Sequence, residues 1–253
     1  MRSYFSTNLL WTGLHFAARA GQIESLHTGG SRFDIEHRGY VLGAILSAAN
    51  FLEAMINELY QDAHDGHGVT GDGYLAPLSA ETQLMLAQLW AGTDDGSKLR
   101  PLQKYELVLT AAKQAPLDRG AQPSQDAQLV VQLRNAIAHY KPATISADEP
   151  ADIERRLRWK FPDNVLMAGA GNPWWPSHCL GFGCAQWACD SAFALAELLS
   201  NELGIRPNYK RVSEEGWQGY GRRPDDLSDG HSSVRQRAIS WCRALLRRRQ
   251  RQD

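Results

Sequence analysis

Strand signals are nearly missing from this chain. No run alternates Val, Ile, Thr and Tyr with polar residues, and no Asn-Gly or Asp-Gly turn lies between such runs, which argues against a sheet protein. Cysteine is scarce. Cys179, Cys184, Cys189 and Cys242 are the four in 253 residues, too few for a disulfide framework. Three of them stand five apart, which matches no zinc spacing. On one helix a five-residue step turns side chains ~140° from one another. They read as reduced thiols, some of them buried. Long apolar runs are lacking too: no stretch approaches the ~20 apolar residues of a bilayer span. The start, Met-Arg-Ser-Tyr-Phe-Ser-Thr-Asn, has neither the apolar core nor the cleavage site of an export signal. These absences lead us to expect a cytoplasmic protein with no membrane partner.

Net charge is also almost absent, at −1, but this is a cancellation. Residues 206–253 hold 12 Lys/Arg against 6 Asp/Glu, net +6, while residues 1–205 hold 15 against 22, net −7. An acidic body carries a basic tail. Apolar residues make up 43% and charged residues 22%, which excludes disorder as the dominant state.

What is present is helical periodicity. Between Gly39 and Asp62, Val41, Ile45, Ala48, Leu52, Met55, Ile56 and Leu59 recur at steps of three and four as one apolar stripe. Asn50, Glu53, Asn57 and Gln61 form a second, polar line on that helix. Asp62–Gly73, rich in glycine, reads as a loop. Ser79 offers an N-cap for a helix over Glu81–Trp90. Leu99–Gln114 is a further helix, with Pro101 in its first turn. Ala127–His139 is helical with Val130, Leu133 and Ile137 inward, and Pro142 stops it. Ala151–Arg158 is a short polar helix or turn, Cys179–Leu203 a long helix ended by Gly204, and Ser6–Leu26 looks helical too. The expected fold class is all-α: a bundle of five to six helices over residues 1–205. A polar linker and an Arg-rich tail over residues 206–253 follow, with a short helix possible over Ser232–Arg251.

The end of the Ala127–His139 helix reads Leu133-Arg134-Asn135-Ala136-Ile137-Ala138-His139-Tyr140-Lys141-Pro142. Apolar periodicity does not account for its arginine, amide, histidine, tyrosine and lysine. Asn135 and His139, four apart, share a face. A histidine exchanges protons near neutrality, and a guanidinium suits phosphate oxygens. Together they suit cleavage of an RNA phosphodiester. His139 would take the proton of a ribose 2′-hydroxyl or protonate the leaving oxygen, and Arg134 would stabilise charge on the phosphorus oxygens. The nucleophile is internal to RNA, so this route needs no metal or cofactor, and DNA is not cut by it. One histidine cannot be base and acid in a single step, whereas a symmetric homodimer would bring two together. The same residues admit a structural reading, with Arg134 in a surface ion pair and His139 at the helix C-terminus.

Arg134-Asn135-Ala136-Ile137-Ala138-His139 resembles the signature of the HEPN family, an arginine, a polar residue, and a histidine after four to six intervening positions. Ala-Asn-Phe-Leu-Glu-Ala-Met-Ile-Asn-Glu-Leu-Tyr within Leu46–Tyr60 is similar to an earlier long helix of many members. The resemblance spans roughly residues 40–205. It implies an all-α bundle, dimerisation and, in many members, metal-independent RNA cleavage in toxin or phage-defence roles, with an antitoxin or defence partner. Carried over, Arg134 and His139 are catalytic and Asn135 assists. Tyr140 follows His139 directly, unlike one toxin branch in which a residue intervenes. Other members are non-catalytic, so a helical RNA- or protein-binding module is the alternative.

Further candidates surround this motif. Glu53 and Asn57 are placed to line the site and hold Arg134 or His139, and Tyr140 and Lys141 adjoin it; a solvated face or a polar dimer contact is the plainer reading of the first two. His64, Asp65, His67 and Asp72 resemble metal ligands but lie in a glycine-rich loop, and no metal is expected. Trp174 and Trp175 could stack on bases or simply pack in the core. Arg243, Arg247 and Arg251 recur every four residues and would line one helix face that attracts RNA phosphates without reading sequence; anionic lipid or an acidic partner would suit the same face, and a solvated tail is the plainer reading.

Overall fold

Three long helices carry the fold, and a carboxylate or a glycine meets the start of each. The first, α1 (Ser6–Ser25), has no cap of its own; Ser6 N–H donates to Glu58 Oε1 at 2.8 Å. Glu58 lies on α2 (Ile35–His64), whose N-cap Asp34 accepts from His37 N–H at 3.0 Å. The third, α7 (Phe182–Glu202), follows Gly181. Shorter elements complete the chain: α3 (Ala80–Gly92), α4 (Pro101–Ala111), α5 (Ser124–Ala138), α6 (Asp152–Leu157), a 3₁₀ turn over Val165–Met167 and a π turn over Trp174–His178. The structure, a computed structural model, describes residues 2–71, 73–141 and 151–210. All lie in one compact unit, Met1–Arg211; a second unit, Val212–Asp253, is outside them.

The all-α expectation holds: every regular element among the described residues is helical, and none is a strand. Among the described residues seven α-helices replace the five to six expected, because the short polar segment after Ala151 is a true helix. Helices α1, α2 and α7 pack mutually; α3 and α4 lie against α2, α5 packs on α2 and α7, and α6 on α5. The apolar stripe of α2 is the centre of the core, with Val41, Ile45, Leu52, Ile56 and Leu59 all buried. At 25 cal/mol per Å² of apolar area, each such side chain contributes about 1.5–3 kcal/mol. Gly43 lets α1 approach closely: a Cβ there would meet Phe16 Cδ2 at 2.5 Å.

Several boundaries differ from the periodicity. The cap at Asp34 starts α2 four residues before Gly39, and the helix runs on to His64. Asp62 is therefore not in a loop; it is fully buried and accepts from Tyr74 Oη at 2.6 Å. With 30 residues and a mean hydropathy of 1.5 in its most apolar window, α2 is long and apolar enough to cross a membrane by composition. That corrects the expectation of no such stretch. The packing of its apolar stripe against α1 and α7 is compatible with the core helix of a soluble protein. Cys179 precedes α7 rather than starting it, so it is free of helical spacing and meets Cys184. Residues 206–210 are not a loose linker: Tyr209 is buried, edge-on to Phe51 at 5.3 Å, and bonds Glu197 and Ser200.

Candidate functional site

The polar line of α2 is a ladder of contacts to three other helices. Arg134 Nη2 of α5 donates to Glu53 Oε2 at 3.3 Å. One turn on, Lys104 Nζ of α4 donates to Asn57 Oδ1 at 2.7 Å. One turn further, Trp90 Nε1 of α3 donates to Gln61 Oε1 at 2.9 Å. Lys104 is almost fully buried, with Nζ 5.8 Å from the Trp90 ring centroid. Burial pushes its ammonium below the ordinary lysine range, against the Glu53 carboxylate, which favours the charge. Glu53 thus faces two cations, Arg134 and Lys104. Of the two candidates on this line, Glu53 meets Arg134, while Asn57 meets Lys104.

The motif itself occupies the last turn and a half of α5. Leu133 is fully buried and fixes the helix rotation. The Arg134 side chain is consequently only 25% exposed. Its Nε is buried and has no hydrogen-bond partner among the described residues. Asn135, His139, Tyr140 and Lys141 are all exposed. His139 is the C-cap, its N–H donating to Asn135 O at 2.9 Å, and Tyr140 N–H donates to Ile137 O at 3.4 Å. The helix end therefore presents an imidazole, a phenol and an ammonium to solvent. A part-buried arginine lies about one and a half turns behind them. A proton-exchanging group and a fixed cation on one helix suit phosphodiester chemistry.

Comparison with known proteins finds no family model, no curated protein and no solved structure that matches this chain.

The remaining candidates separate clearly. Trp174 and Trp175 are buried, and Trp174 Nε1 donates to Asp163 Oδ1 at 2.7 Å. They pack in the core and offer no face to a base. No three His, Cys, Asp or Glu side chains among the described residues are grouped to hold a metal. His64 Nδ1 bonds Asp65 Oδ1 at 3.0 Å instead, and Asp72 lies outside the described residues. Arg243, Arg247, Arg251, Cys242 and the short helix expected over Ser232–Arg251 lie outside them too. Two residues escaped the sequence reading. Lys104 sits beside the apolar face of its helix, where a lone cation gave no periodic signal. Trp159 is 91% exposed, and its signal, a tryptophan inside Arg155-Arg156-Leu157-Arg158-Trp159-Lys160, was legible.

Proposed function

We propose that this chain is a metal-independent endoribonuclease of HEPN type, with a composite site at a homodimer interface. His139 exchanges the proton of the ribose 2′-hydroxyl or of the leaving oxygen, Arg134 stabilises the charge on phosphorus, and Asn135 assists. The supporting observation is Arg134: a part-buried guanidinium carrying one carboxylate contact, one and a half turns before an exposed histidine. Glu53 orients it. The exposed end of α5 is open to a second copy, as two paired histidines require. The reading extends to a cytoplasmic toxin or phage-defence role, with RNA as substrate and an antitoxin or defence protein as partner.

A second reading rests on the Glu53–Arg134 pair, which by itself accounts for Arg134 as a contact between α2 and α5 in a non-catalytic binding module. Purified protein incubated with single-stranded RNA in chelator separates the two. The ribonuclease reading expects cleavage by wild type and a loss of about 10²–10⁴-fold in His139→Ala, the usual share of a general acid or base. Equal cutting by both proteins, or intact RNA with wild type, would favour the second reading.

A further inference from the structure

Trp159 is the most exposed large apolar side chain among the described residues, at 91%. Its backbone is as unusual as its exposure. Arg158 has φ −55 and ψ 132, Trp159 has φ +75, and Lys160 N–H donates to Leu157 O at 3.0 Å. These are the features of a type II turn with Trp159 at the third position, where glycine is the favoured residue. A bulky side chain at positive φ costs on the order of 1–3 kcal/mol and persists only where its surroundings hold it. Here both neighbours are held. Arg158 pairs with the buried Glu154 carboxylate and lies 5.1 Å from the Trp174 ring centroid, while Lys160 Nζ meets Asp126 Oδ1 at 2.8 Å. The fold therefore spends strain to fix an indole outward without covering it.

The flanks of that indole are cationic. Residues 152–160 carry Arg155, Arg156, Arg158 and Lys160 against Asp152 and Glu154, net +2, within a body of net −7. Arg155 and Arg156 remain 61% and 45% exposed beside their shared Asp152. An aromatic face among cations is the arrangement that stacks an unpaired base and attracts its phosphates. Membrane interfaces also take tryptophan, but the chain neighbours here are charged rather than apolar. We propose that the Arg155–Lys160 turn is a stacking platform for one base of a single-stranded RNA, with the Trp159 indole as its surface. The choice of RNA rests on the ribonuclease reading of the α5 motif; the geometry of the platform does not.

The test uses the full chain carrying His139→Ala, so that the RNA stays intact, with a labelled oligouridylate of ~12 nucleotides, within the usual range of single-strand sites. Trp159→Gly removes the ring and also relieves the left-handed backbone, so its melting temperature should rise rather than fall. The expected results are binding weaker by about tenfold in Trp159→Gly, as loss of one stacked base implies, and binding within about threefold of the parent in Trp159→Phe. Affinity for a fully duplex RNA should be the same in all three. Equal affinity of Trp159→Gly and parent for the single strand, no binding by the parent, or ring-dependent capture by phosphatidylserine vesicles instead of RNA would each overturn the platform. Cleavage is read separately on the wild type: ring-dependent binding without cleavage sinks the ribonuclease reading and leaves the platform standing. Cleavage with ring-independent binding does the reverse.

Discussion

Asp190 on α7 shows how one buried group couples this fold to pH. Burial raises its carboxyl from 3.8 to about 6, against the Gln186 amide, which donates to it at 2.8 Å and lowers it. A raised folded-state value means that the folded protein binds the proton more tightly than the unfolded chain. That contribution to stability is complete below about pH 4 and is lost as the pH rises through 6. The gap from 3.8 to about 6 corresponds to as much as ~3 kcal/mol. Asp190→Asn, which mimics the protonated acid, should melt higher than wild type above about pH 7, and the difference should vanish near pH 4. Paired thermal melts across that range check it; a difference independent of pH would show that the carboxyl is not desolvated. Nothing in the sequence around Asp190 marks this shift, because it comes from burial, which the fold decides.

At the scale of elements, the start of α7 illustrates why boundaries escape periodicity. Cys179 and Leu180 continue an apolar run, and the spacing therefore predicts a helix from Cys179. The chain instead turns at Gly181, because three other segments meet there. Asn164 Nδ2 donates to Leu180 O at 3.0 Å, and Glu24 of α1 accepts from Phe182 N–H at 2.6 Å and contacts the buried His37 at 2.8 Å. A Cβ on Gly181 would lie 2.6 Å from Asn164 Cα and 3.0 Å from Glu24 Oε1. The first of these is backbone and has little room to move. Gly181→Ala should therefore destabilise the protein by about 1–3 kcal/mol, a drop of several degrees in Tm that thermal denaturation reads directly. Where a cap is local, as with Ser79 Oγ accepting from Thr82 N–H at 3.1 Å, the sequence alone places the helix start to within a residue.

For the whole molecule, the division of charge carries a prediction about RNA. Residues 232–253 contain seven arginines and only the terminal Asp253 as an acid. Removing them should weaken RNA binding and flatten its dependence on salt, since fewer counterions are released, while chelator-resistant cleavage at saturating RNA is kept. Binding isotherms at several salt concentrations, for the full and the shortened chain, measure both. Identical slopes would show that the basic tail takes no part. The proposed paired-histidine site adds an expectation about assembly: if it cuts RNA, sedimentation should find a dimer at the concentrations where cleavage occurs, and a monomer cutting at full rate would sink the composite site.

The all-α class, the inward stripe of α2 and the position of Arg134 and His139 on one helix were determined by sequence alone, because helical spacing and capping act within a few residues of chain. Tertiary structure decided which polar side chains meet. The line Glu53, Asn57, Gln61 reads as a solvated face until α5, α4 and α3 bring Arg134, Lys104 and Trp90 to it. It likewise decided which tryptophans see solvent. Trp174 and Trp175 look loop-borne between prolines yet are buried, while Trp159 is held outward by ion pairs to Glu154 and Asp126 on either side. Asp126 lies 33 residues from Trp159 in the chain, and burial and pairing over such separations leave no periodic trace in the sequence.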